Sequence, residues 1–172
     1  MLNEYSKHRS GLPSDSDALI SKLSPVTAVL EIKDPYTGEH GRRVAIYAAR
    51  LAQRIGLNAI DIENIRLGGL LHDMGKIGLS ATVLKNTRKQ LSVDMMAEVR
   101  LHPIIGVALL KDVDIPAAVI DCVQYHHEKI DGSGYPFALK SDQIPLGAKI
   151  VRVVDCFDAI TTDRPYQQRK SW

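Results

Sequence analysis

"HGRRVAIYAARLAQRIG", residues 40–56, places Val44, Ala48, Leu51 and Ile55 at the spacing of a buried helical stripe. Gly56 is placed to end that helix. His40 heads the same stripe, so an imidazole faces the region where the core should lie. A single histidine there is ordinarily a hydrogen-bonded core residue. Its neighbours in the fold decide whether it is more than that.

Working outward, the helical period continues almost everywhere. Ser24-Pro25 reads as a cap and first turn for a helix running through Val29 and Leu30 towards Lys33, and "DPYTGEHG" (34–41) reads as a break. A helix from about Ala59 to His72 puts Ile62, Ile65, Gly69 and His72 on one face. "MGKIGLSATVLKNTRKQLS" (74–92) reads as loop with one short turn. Ser92 is placed to cap a helix through Met96 and Val99, which Pro103 interrupts after His102. Pro116 opens a helix whose stripe, Val119, Val123 and His126, leads with His127 into a glycine-rich loop. The last helix runs from Gly147 to about Thr161. No set of alternating strands stands against these, so the expected fold is all-α.

The composition bounds the function classes. The chain has 172 residues, 45% hydrophobic and 24% charged, enough for one domain with a real core. A formal charge of +2 argues against bulk nucleic-acid binding. No apolar run reaches the roughly 18 residues of a membrane span, and the N-terminus lacks a signal peptide's apolar stretch. No membrane association and a cytoplasmic location are therefore expected. Residues 1–16 read as a flexible leader or linker remnant, and 17–172 as the domain. Cys122 and Cys156 sit in apolar segments without metal-binding spacing, so each is expected to be a buried free thiol.

Polar residues on apolar faces carry the chemistry. His40, His72, His102, His126 and His127, five of the six histidines, fall at or near helix ends. In "IVRVVDCFDAI" (150–160), Asp155 shares a face with residues 148, 151 and 158. A buried carboxylate needs a partner, and a metal would serve Asp73, Asp155 and the imidazoles together. Such a nitrogen and oxygen set, without thiolate, favours iron, manganese or another first-row ion over structural zinc. Two ions sharing a carboxylate would make hydroxide available at neutral pH and clamp phosphoryl oxygens. Lys76, a helical turn beyond His72, is placed either to neutralise phosphate charge or simply to favour a helix end.

The same residues carry a resemblance. "LLHDMGKIGL" resembles the HD signature of metal-dependent phosphohydrolases. "HHEKIDGSGYP", followed by "IPLGAKIVRVVDCFDAITTDRPY", is similar to the HD-GYP subfamily, and the likeness runs from "DPYTGEHGRRVA" to Tyr166. It implies an HD-type helical bundle with a metal site in its core, and hydrolysis of cyclic di-GMP to linear pGpG by a metal-bridging hydroxide. By position, His40, His72, Asp73, His102, His126, His127 and Asp155 would be metal ligands, with Asp73 bridging and catalytic. Lys76 would act on the scissile phosphate, while Gly134, Tyr135, Pro136, Asp158 and Arg164 would meet substrate. The resemblance implies a two- or three-metal site, commonly of iron or manganese, and Tyr36 leads to an expectation of two divalent ions. Three-metal relatives carry a glutamate where this chain has Tyr36, and neutral tyrosine is the poorer ligand. Other signalling domains, including diguanylate cyclases, are the implied protein partners. The alternatives are a non-catalytic cyclic dinucleotide-binding or docking module and an HD phosphohydrolase acting on another nucleotide.

Overall fold

Asp34 alone separates two long helices, α1 (Ser14–Lys33) and α2 (Pro35–Arg54). Its carboxylate accepts from Thr37 Oγ1 at 2.5 Å and from the Thr37 amide at 3.4 Å, and Pro35 supplies a first-turn residue that needs no donor. The computed structural model describes residues 14–86 and 90–162. Eight α-helices follow one another among them: α3 (Ala59–Leu71), α4 (Ala81–Leu84), α5 (Val93–Val99), α6 (His102–Leu110), α7 (Ala117–Tyr125) and α8 (Leu146–Thr161) complete the set. Short 3₁₀ turns occupy Met74–Gly78 and Ser141–Gln143. The described residues form no strand, and Asp131 and Lys140 make only an isolated bridge. The fold is all-α.

Several local expectations change. The first helix does not start at Ser24 but runs through Pro25, because Leu23 and Leu30 on either side of it are both buried and hold the helix despite the missing donor. "DPYTGEHG" is not a break beyond Asp34; it is the first turns of α2. The segment after Asp73 is not loop with one turn, since it holds both a 3₁₀ turn and α4, the latter capped by the Ser80 hydroxyl. Cys156 is exposed, while Cys122 is buried as expected. Cys156 lies on the outer face of α8 among the described residues, so apolar sequence context misled there.

Two patches make the core. Leu23, Leu67, Leu71, Met74, Leu110, Val119 and Val123 form one; Val44, Ala48, Ala52, Ile65, Cys122, Ile150, Val151 and Val154 form the other. Ile55, placed on the buried stripe from spacing, is instead half exposed at the end of α2. Where α2 crosses α3 the backbones nearly touch: a Cβ on Gly69 would lie 3.1 Å from Ala45 Cα. That approach draws His40 on α2 to His72 at the end of α3, with ring centroids 5.2 Å apart. No helix of the described residues is long and apolar enough to cross a membrane.

Candidate metal centre

Six elements deliver side chains to one point. His72 ends α3, Asp73 opens the 3₁₀ turn, His102 opens α6, and His126 and His127 follow α7. His40 comes from the start of α2 and Asp155 from the middle of α8. Asp73, His102, His126 and His127 make one ligand-competent group, and His40, His72 and Asp73 make a second; within each, the donor atoms lie within 4.8 Å of one another. Asp73 is common to both. Asp155 falls outside these two groups but its Oδ1 is 3.2 Å from His40 Nε2.

The ring nitrogens indicate what the site accepts. His72, His102 and His126 each donate Nδ1–H to a carbonyl three residues back, on Gly69, Val99 and Val123, at 2.8, 2.7 and 2.9 Å. Their Nε2 atoms therefore carry lone pairs towards the centre. His102 Nε2 and His126 Nε2 face each other at 3.1 Å, two acceptors without a proton between them. His72 Nε2 is buried and makes no hydrogen bond. Orphaned buried acceptors are costly unless a cation satisfies them. The residues fit a divalent ion.

Electrostatics prepare the same donors. Burial pushes the His102 imidazole down to about 4, against the pull of Asp73. Burial, then the neighbouring imidazoles, holds His126 and His127 well below the usual histidine range. Burial opposes ionisation of Asp73, but Lys76 and then His72 outweigh it and keep the carboxyl well below the usual range. His40 differs: burial is outweighed by Asp155, Asp158 and Asp73, which raise it to about 9. At neutral pH His102, His126 and His127 are thus neutral and Asp73 and Asp155 ionised, the forms that ligate, while His40 holds a proton that a bound cation would have to displace.

Residues expected at substrate divide. Lys76 Nζ lies 2.6 Å from Asp73 Oδ2, half-buried beside the cluster. Tyr135 stacks on His127 with centroids 4.7 Å apart, and Arg100 lies over its ring at 5.5 Å. Gly134 is packed so that a Cβ would sit 2.4 Å from the Lys129 amide, so it serves loop closure, and Pro136 is joined to Tyr135 by a cis bond. Asp158 does not face a substrate: it is buried, accepting at Oδ2 from His40 Nδ1 at 2.7 Å and at Oδ1 from Arg43 Nε at 2.7 Å. It orients His40 from behind, the outer support that an imidazole would need in order to ligate. The helical spacing from Asp155 to Asp158 put both on one face but could not tell which pointed inward. Arg164 lies outside the described residues.

Glu128 and Arg43 were missed. Glu128 is buried, and its two oxygens accept from the amides of Phe137 and Leu139 at 2.7 and 2.9 Å, tying down the loop that carries Tyr135. Its position directly after the histidine pair was the available signal. Glu128→Ala is expected to leave two backbone donors unmet, costing about 1–3 kcal/mol each. Limited proteolysis should then cut within 129–139 faster than in the wild type, and unchanged protection would remove this role.

Residues 26–172 match a family model described as HD domain. The chain belongs to the HD domain family. Its "HHEKIDGSGYP" segment and its relatives assign it to the HD-GYP branch. This HD domain is 40% identical over 144 residues to a cyclic di-GMP phosphodiesterase of Pseudomonas aeruginosa, covering 83% of this chain and 34% of that protein. It is 37% identical over 149 residues to the cyclic di-GMP phosphodiesterase response regulator RpfG of Xanthomonas campestris, covering 85% and 39%. With a 3'3'-cGAMP-specific phosphodiesterase of Vibrio cholerae it shares 32% over 156 residues, covering 91% and 34%. The HD domain here thus spans only about a third of these relatives' length. A solved HDG"Y"P protein of Bdellovibrio bacteriovorus superposes with a TM-score of 0.65 at 23% identity, over 84% of this chain and 50% of that one, and shares the fold.

Proposed function

We propose that this HD domain is a divalent-metal phosphodiesterase that opens cyclic di-GMP to linear pGpG. The observation that carries the reading is the pair of Nε2 acceptors of His102 and His126 turned on each other beside the orphaned Nε2 of His72, around the Asp73 carboxylate. Two ions, iron or manganese, would be held by His40, His72, Asp73, His102, His126, His127 and Asp155. Bound there, they would acidify water and neutralise phosphate charge. Water adds oxygen to phosphorus and one ribose oxygen leaves, so a single cleavage yields the linear dinucleotide.

The chain's own residues would do the rest. Lys76, kept at the cluster by Asp73, would stabilise the charge that develops on the phosphate. Tyr135, braced between His127 and Arg100, would pack against the nucleotide at the mouth. Asp158 would keep His40 aimed inward. The relatives named for cyclic di-GMP support the substrate, and the relative specific for 3'3'-cGAMP makes that nucleotide the second reading.

The test is turnover by anaerobically prepared protein supplied with iron or manganese, offered each cyclic dinucleotide in turn. Hydrolysis abolished by chelator and restored by metal is expected; no turnover of either nucleotide with either metal would overturn the reading. Lys76→Ala is expected to lower kcat on the order of a hundredfold, the loss seen on removing one donor to developing charge. Elemental analysis should find its metal content unchanged. Wild-type kcat at saturating metal would remove Lys76 from the chemistry.

A further inference from the structure

The cluster is closed on most sides. His40, His72, Asp73, His102 and His126 are buried, whereas Lys76, His127, Tyr135, Arg152 and Asp155 are each partly exposed and mark its mouth. Two of these five are cations, and they arrive from different elements: Lys76 from the 3₁₀ turn, Arg152 from α8. Arg152 lies one turn before Asp155, so the helix sets both on one face. Its Nη1 is 3.2 Å from His127 Nδ1 and 3.9 Å from Asp155 Oδ2. The second distance is longer than a hydrogen bond, and a partly exposed pair at this spacing contributes little to stability. The ion pair thus adds little to the fold, and the hydrogen bond to His127 Nδ1 fixes the guanidinium at the mouth without using its other donors among the described residues.

A guanidinium directly beside two groups that would hold cations in the proposed centre carries a different meaning. It raises positive charge at the open side of a site already built to gather it, which suits an anion entering there. We infer that Arg152 binds the second phosphate of the substrate, the one not being cleaved. The inference rests on the cyclic dinucleotide phosphodiesterase reading. A cyclic dinucleotide brings two phosphodiesters, and Lys76 with the metal ligands accounts for only one of them. The planar fork of Arg152 matches the two non-bridging oxygens of the other. Arg100, holding the face of Tyr135 at 5.5 Å, stiffens the adjoining wall.

The experiment compares wild type, Arg152→Ala and Arg152→Lys, each loaded with manganese, on cyclic di-GMP and on bis(p-nitrophenyl) phosphate, which has one phosphate only. For Arg152→Ala, KM for cyclic di-GMP should rise about tenfold, the loss of one charge-assisted hydrogen bond, and by more than kcat falls. The loss in kcat/KM should be several times smaller on the one-phosphate diester, and Arg152→Lys should recover part of it. Metal content, measured alongside, should match wild type. Equal KM values for wild type and Arg152→Ala overturn the inference and leave the phosphodiesterase reading standing. Equal losses on both substrates, or loss of metal from Arg152→Ala, assign the residue to structure and also overturn it. Hydrolysis of the one-phosphate diester but of no cyclic dinucleotide by wild type overturns the substrate reading, and this inference with it.

Discussion

Asp73→Asn is expected to abolish cyclic dinucleotide hydrolysis and to strip metal from the protein. Asp73 Oδ1 lies 3.4 Å from His102 Nε2, and its Oδ2 lies 3.4 Å from His72 Nε2 and 3.8 Å from His40 Nε2. It alone belongs to both ligand groups. An amide of the same size keeps the packing but offers one neutral oxygen in place of two that share a negative charge. Residues that merely support a ligand cost 10–100-fold in metal affinity or activity, so loss of the shared carboxylate should exceed about a hundredfold in both. Elemental analysis and turnover with added metal measure the two effects separately. Full metal content with full activity would remove Asp73 from the centre; a far-ultraviolet circular dichroism spectrum like wild type establishes that the fold survived.

Gly75→Ala should produce the largest loss of stability. Gly75 sits two residues after Asp73, where the 3₁₀ turn lies against the start of α6. A Cβ built there would be 1.9 Å from the His102 carbonyl oxygen and 2.5 Å from the Gly106 amide nitrogen. Both obstacles are backbone, so no rotamer change relieves the clash, and the turn must separate from α6. Overpacking of this kind costs about 3 kcal/mol or more. In a chain of this size that lowers Tm by roughly 6–12 °C. Separation would also carry Asp73 away from His102, so metal affinity should fall with stability. Thermal unfolding in chelator reads the first effect without the second. A Tm within about two degrees of wild type would show that the turn tolerates the methyl group, contrary to the packing described.

The sequence determined the helical class, most helix positions and the site's chemical character. Period carried the helices, since Val44 and Ala48 are buried where spacing put them. Local capping chemistry carried some boundaries: the Ser92 hydroxyl accepts from the Met95 amide at 3.2 Å, and Pro116 precedes α7. The histidines were legible because an ionisable group on an apolar stripe contradicts the stripe unless something compensates it. Their convergence is a geometric fact that the motif order anticipated.

Tertiary structure decided what period and chemistry leave degenerate. Asp155 and Asp158 share a helical face, and only the position of α2 turns the first towards the ligand atoms and the second to the back of His40. Ser24-Pro25 starts a helix by local rules, yet Leu23 and Leu30 are buried on both sides of Pro25 and α1 runs through it from Ser14. Glu128 follows the histidine pair in sequence, and only the folding back of the loop brings it the amides of Phe137 and Leu139. Arg152 carries no signal in the sequence, and only the position of α7 brings His127 to its guanidinium. In each case the deciding contact joins residues distant in sequence, or sets burial energy against a local preference. Local preferences amount to about a kilocalorie or a few, and packing of whole side chains outweighs them.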